Sequence, residues 1–269
     1  MSGGPVRITQ RRRIPDVIKQ ALTVVYRPDP KDGLLVPAGT AFLFRYPSQA
    51  RPEGSYSLIV TARHVVTDDR GALLPGLKLR MNRQGGGVEL LEIGEGASVF
   101  FHADPTVDLC VLPGGLDRST FEYRELGADF FPPREAIQAP LLGEGIDVVF
   151  LGLFQPHPGE ARNQPIARFG RVAMVPNERV FWEETFHELL LIEISSYGGN
   201  SGAPVFAFLE DVAGARLLGV LKGSFREAAV KIQDISLPAV DGISAVTPAY
   251  LLEDMLKEQV IPMIDRTVT

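Results

Sequence analysis

The chain has 269 residues, 45% of them hydrophobic, and a formal net charge of −6. That apolar fraction supports a core without covalent staples, and a single cysteine excludes any intramolecular disulfide. Net acidity argues against a nucleic-acid partner, which would require clustered positive charge. The short basic run QRRR at 10–13 reads as a solvated tail.

The N-terminal stretch MSGGPVRITQRRRIPDVIKQ lacks the apolar segment of a signal peptide. The longest apolar runs, ELLLIEI and DVVFLGLF, are too short to span a bilayer. With one cysteine and no membrane partner in view, a cytoplasmic protein is the expectation. Residues 1–19 read as an N-terminal extension, and IPDVIKQAL near the start carries a weak helical pattern. Apolar and β-branched runs follow at 21–27, 40–46, 55–62, 77–82, 87–93, 97–103 and 107–113. Segments such as PDPKDG, PSQARPEG and TDDRGALLPG separate them. Periodicity is lost over 114–140, and 121–140 reads as a connection between two halves, 20–120 and 141–247. Strands resume at 146–154, 165–175, 188–195, 203–209, 216–225 and 242–247. Helical spacing is confined to PAYLLEDMLKEQV (248–260), within a C-terminal helix and tail at 248–269. Many short strands, one terminal helix and no βαβ alternation point to an all-β sandwich or barrels.

Residues 195–206 read SSYGGNSGAPVF. A serine between glycines has an exposed hydroxyl on a tight turn, and neighbouring amides can converge on one point, the geometry of a nucleophile beside an oxyanion hole. Gly199 and Gly202 permit the backbone angles this needs. Taken alone, the motif also fits a glycine-rich hairpin turn. A serine nucleophile needs a base, and the chain has four histidines: His64, His102, His157 and His187. Periodicity does not choose between them; His64, at the end of the strand in SLIVTARHVV, sits where a rigid element would hold it. The imidazole needs an orienting carboxylate. Asp108, inside the apolar strand PTVDLCVLP, is the acidic residue whose burial calls for a partner. Cys110 in the same run reads as a small buried hydrophobe rather than a nucleophile.

VTARHVV, VDLCVL and GGNSGAPVF, in that order, resemble the histidine, aspartate and serine motifs of the trypsin/chymotrypsin-like serine proteases. FGRVAMV and GNSG are closest in style to the disulfide-free bacterial Deg-type branch. The resemblance covers about residues 20–258 and implies two six-stranded antiparallel β-barrels with a C-terminal helix. It implies a catalytic triad of His64, Asp108 and Ser201, an oxyanion hole from the amides of Gly199 and Ser201, and a substrate edge at Lys222, Gly223 and Ser224. Ser195 and Ser196 would lie near the floor of the pocket for the side chain before the scissile bond. Their lack of charge suggests small or medium apolar residues there, with Tyr197 and Lys222 narrowing the pocket. Asn200 and Ala203 depart from the trypsin pattern, so activation by a newly cut N-terminus is not expected. The resemblance implies no metal or cofactor. It implies a protein or peptide substrate, cleaved through an acyl-enzyme, and leaves room for a regulatory protein partner. The alternative is a latent or inactive protease-fold module that binds peptides without turnover.

Overall fold

The thirteen-residue strand β2 (Leu35–Pro47) is buried on both faces at its centre. Phe42, Phe44 and Tyr46 point one way, and Ala41 and Leu43 the other. This double burial explains why TAFLFRY reads as an unbroken apolar run rather than an alternating one. The computed structural model describes residues 14–94, 96–133, 142–209, 214–225, 230–232, 235–237 and 242–268. The basic run at 10–13, most of the N-terminal extension and part of the 121–140 connection lie outside them.

Around β2 the first half forms an antiparallel sheet. Its strands are β1 (Leu22–Pro28), β3 (Ser55–Thr61), β4 (Lys78–Asn82), β5 (Val88–Glu92), β6 (Phe100–Phe101) and β7 (Cys110–Pro113). Their order is β5-β4-β1-β2-β3-β7-β6, seven strands in all. The second half is a closed six-stranded barrel. Its strands are β8 (Asp147–Gly152), β9 (Ile166–Met174), β12 (Leu190–Glu193), β13 (Pro204–Ala207), β14 (Arg216–Ser224) and β17 (Ile243–Pro248), in the order β12-β17-β14-β13-β8-β9. The expected all-β class with a C-terminal helix is therefore the observed one, and the second half is the six-stranded barrel expected. The first half, expected as a second six-stranded barrel, is a seven-stranded sheet because the short β6 adds to its edge beside β7.

Two hairpins have no counterpart in the sequence reading: β10 (Val180–Trp182) with β11 (Thr185–His187), and β15 (Val230–Ile232) with β16 (Ile235–Leu237). The first turns through Glu183, a non-glycine residue at φ 55°. It lacks the Asn-Gly or Asp-Gly pair that marks such a turn in a sequence. The C-terminal helix also runs further than 260. Ala249–Met255 passes through a π turn, Leu256–Val260, into Ile261–Val268. Pro262 has no amide proton, and its ring would crowd the carbonyl four residues earlier in a regular helix. The wider turn just before it gives that ring room.

One core joins both halves and this helix. Phe42, Phe44, Leu58 and Val60 pack with Val149, Leu151, Phe206 and Val220, and with Leu252, Met255 and Leu256. Two polar devices fix the assembly. Near the C-terminus, the Asp265 carboxylate accepts hydrogen bonds from the hydroxyls of Ser48 and Tyr56, both at 2.5 Å, and from the amides of Gln49 and Ala50 at 3.0 and 3.1 Å. Between the halves, the buried Thr40 hydroxyl donates to the Gly199 carbonyl at 2.9 Å and accepts from the Leu153 amide at 2.8 Å. The Thr40 amide donates to the Ser201 carbonyl at 2.9 Å. Gly202 completes this contact: at φ 83°, a Cβ there would lie 2.1 Å from the Thr40 carbonyl oxygen.

Thr40→Val keeps the shape but leaves a buried carbonyl and a buried amide without partners. It should cost about 1–3 kcal/mol in urea denaturation; an unchanged midpoint would count against the interlock. The hydrogen bonds from Ser48 and Tyr56 hold the Asp265 carboxyl down at about 2, against roughly 3.9 in an unfolded chain. Its stabilisation is therefore complete above pH ~4 and is lost as pH falls towards 2. The Tm gap between wild type and Asp265→Asn should be full at neutral pH and close over that window.

Candidate active site

β3 leaves its sheet at Thr61, and the chain turns at once into the short helix Arg63–Val66. His64 thus sits on a helical turn just past the strand, not on the strand end the sequence suggested. The turn forms because Val65 and Val66 insert into the core of the first sheet, which leaves the His64 side chain 49% exposed on the opposite side. Asp108 lies in the loop before β7 rather than inside that strand. Its neighbours Val107 and Leu109 are buried and pin it in place.

Asp108 grips His64 at two points. Oδ1 accepts the His64 backbone amide at 3.0 Å and Oδ2 lies 2.6 Å from Nδ1. The first bond serves a helix start that Ala62 cannot cap with its own side chain. The second assigns the proton to Nδ1 and leaves Nε2 as an acceptor. Burial pushes the Asp108 carboxyl up, but the His64 ring, its hydrogen bonds and the Lys222 ammonium outweigh this and hold it well below the usual carboxylate range.

Lys222 comes from the other half of the molecule. Where β14 pairs with β17, Leu221 faces Val246 and Gly223 faces Ala245, so Lys222 is the extra residue of a bulge. The bulge aims both ends of the residue at the site. The ammonium, on a side chain only 10% exposed, lies 3.5 Å from Asp108 Oδ2 and 5.7 Å from the centre of the Trp182 ring. The carbonyl accepts the Ser201 hydroxyl at 3.0 Å. The structure therefore joins His64 to Asp108 directly, and directs the Ser201 hydroxyl to Lys222 rather than to His64. The backbones of the two segments are close nonetheless. A Cβ on Gly39 would lie 2.6 Å from Val65 and 3.1 Å from the Ser201 carbonyl, and one on Gly202 would lie 3.1 Å from the Ala62 amide.

The turn before Ser201 is held from within. The buried Asn200 side chain accepts the Tyr197 amide at 2.9 Å and donates to the Leu153 carbonyl at 2.6 Å. Gly199 takes φ 89°. Among the described residues, neither the Gly199 nor the Ser201 amide donates to a protein acceptor. Ser195 is exposed, while Ser196 is buried and bonded to Ser224 and Ser244. Thr40, Trp182 and Ser244 escaped the sequence reading because each looks like an ordinary strand or loop residue until the register places it. The other histidines are engaged elsewhere or exposed. His187 is buried, with Nδ1 on the Thr106 carbonyl; His102 accepts the Asp104 amide at 3.1 Å; His157 is exposed. Cys110 is fully buried, and burial, reinforced by Asp108, pushes its thiol far up. Among the described residues, no three His, Cys, Asp or Glu side chains are grouped to hold a metal, and no helix is long and apolar enough to cross a membrane.

Comparison with solved structures finds the same architecture in the MamO protease domain from Magnetospirillum magneticum, apo form (TM-score 0.54, 15% identity, 88% of this chain and 96% of that one). The active form of the Rv3671c protease from M. tuberculosis matches at a TM-score of 0.51 with 18% identity, over 96% of this chain and 92% of that one. A mutant, inactive form of the M. tuberculosis protein matches at 0.53 with 17% identity, over 96% of each chain. At such identities the likeness is one of fold. No curated protein matches the chain. The family described as "Trypsin-like peptidase domain" matches residues 39–214, well over half the sequence, and the chain belongs to that family.

Proposed function

We propose that the chain is a serine endopeptidase with Ser201 as nucleophile, His64 as general acid–base and Asp108 as the group that orients the imidazole. The observation that carries this reading is the two-point hold of a buried carboxylate on His64, which leaves Nε2 free to take a proton. A peptide binds as an added strand along residues 222–224. A substrate N–H that takes the Lys222 carbonyl displaces the Ser201 hydroxyl, which then turns to His64. As Oγ attacks the scissile carbonyl, its proton passes to Nε2 and the imidazolium is stabilised by Asp108. The oxyanion rests on the amides of Gly199 and Ser201. His64 next protonates the leaving amine, and the acyl-enzyme is hydrolysed by a water from which His64 removes a proton.

A second reading is a latent or inactive module on the same fold. It draws on one observation: the resting Ser201 hydroxyl is hydrogen-bonded to Lys222. A fluorophosphonate probe separates the two. The protease reading expects labelling of the wild-type chain that disappears in Ser201→Ala, and a fall in kcat/KM of about 10⁴-fold or more in His64→Ala. Folded protein that neither labels nor cleaves any peptide establishes the latent module instead.

A further inference from the structure

Beside Ser201, strand β14 has a free edge. β13 pairs with it from Arg216 to Val220, and Leu221 exchanges bonds with Gly202 and Ala203. From Lys222 to Ser224, β17 occupies one side, and among the described residues no strand occupies the other. Next to this edge three serines far apart in sequence meet. Ser224 and Ser244 are direct partners across β14 and β17, so their side chains share a face. The Ser196 hydroxyl reaches both, bonding to Ser224 and lying 3.0 Å from Ser244. Ser196 and Ser244 are buried. On the other face of the edge, Trp182 packs over Gly223, where a Cβ would sit 3.4 Å from the indole.

Proton counting orders this chain. The Ser244 hydroxyl donates to the Ile194 carbonyl at 2.9 Å. Each hydroxyl has one proton to give. Ser244 has spent its own, so Ser196 must donate to Ser244. Ser196 is then spent, so Ser224 must donate to Ser196. The outermost oxygen, Ser224 Oγ, is left with lone pairs only.

Resting on the protease reading, we propose that the Ser224–Ser196–Ser244 relay is the floor of the pocket for the side chain before the scissile bond, and that it selects short side chains able to donate a hydrogen bond. Serine and threonine satisfy the Ser224 lone pairs, and alanine fits without satisfying them. A carboxylate meets an acceptor and no donor, which is costly away from water. Long and aromatic side chains meet two hydroxyls joined across their path. Lysine and arginine find no carboxylate among the described residues that form the relay, and a hydroxyl oxygen alone does not offset a desolvated cation.

The test profiles the full chain on quenched-fluorescent peptides varied at the residue before the cut, with fluorophosphonate labelling in parallel. Serine, threonine and alanine should lead aspartate, glutamate, arginine and phenylalanine by about 10-fold or more in kcat/KM. Ser196→Ala removes the acceptor that fixes the Ser224 proton. Ser224 can then donate to the substrate side chain, and within that variant's own ranking asparagine and aspartate should gain about 10-fold relative to serine. Ser224→Gly should let leucine and methionine gain on alanine; if one variant fails to label because it has not folded, the other decides. Labelled wild-type enzyme led by phenylalanine or arginine overturns the relay and leaves the protease reading standing. So does an unchanged ranking in Ser196→Ala. A lead for aspartate or glutamate also overturns it, and points instead to Arg168, whose guanidinium lies 4.3 Å from the Tyr197 ring centre. Wild-type protein that neither labels nor cleaves overturns both.

Discussion

The Asp108 carboxylate is the group on which the site depends. Taking an ion out of water costs on the order of several kcal/mol, and Asp108 is only 6% exposed. The compensation comes from three directions: a backbone amide, an imidazole and an ammonium. The first two belong to the helix after β3, and the third reaches across from the barrel. A partner lost from either half would leave a buried charge less well compensated, so the docking of the two halves and the orientation of His64 are parts of one electrostatic arrangement. The same carboxylate also serves the start of the helix that carries His64, so local folding and ring orientation share an anchor.

Lys222 shows how one extra residue in a ladder serves several ends. Without the bulge, β14 would run in simple register with β17, and the residue at this position would be paired like its neighbours. The slip frees the carbonyl to meet Ser201 and sends the side chain past Trp182 towards Asp108. Trp182 in turn packs against Phe225, with ring centres 4.7 Å apart. Its hairpin also touches the loop that carries Asp108, since the His187 ring meets the Thr106 carbonyl. The β10–β11 hairpin therefore braces the site from the barrel side through both Lys222 and the Asp108 loop.

The parts legible in the sequence are those where local chemistry leaves few choices. Two glycines flanking Asn200 and Ser201 were readable because Gly199 and Gly202 need a positive φ and, at Gly202, room for another backbone. Asp108 was readable because a carboxylate among valine, leucine and cysteine demands a partner. What escaped depends on register or on signals the chain does not carry. Glu183 turns a hairpin without glycine or asparagine. Ser196 and Ser224 stood out singly, but their junction with Ser244 forms only once the barrel closes. The helical turn at His64 follows from Val65 and Val66 finding the core, which a run of apolar residues after a strand does not distinguish from more strand.

The resting position of Ser201 follows from the same geometry. Its hydroxyl has one proton, and the Lys222 carbonyl, presented by the bulge, accepts it. A hydrogen bond of this kind contributes about 0.5–1.5 kcal/mol net, so it biases the hydroxyl without locking it. On the protease reading, that carbonyl lies on the free edge where an added strand would pair, so substrate competes with Ser201 for one acceptor. The substrate amide can pair there as part of a ladder, and in the proposed mechanism the serine hydroxyl then donates to His64 Nε2. Loss of the carbonyl to the substrate therefore leaves no unsatisfied donor on either side. The bond that looks like a lock in the absence of substrate is, on this reading, the contact that substrate binding exchanges for the catalytic one.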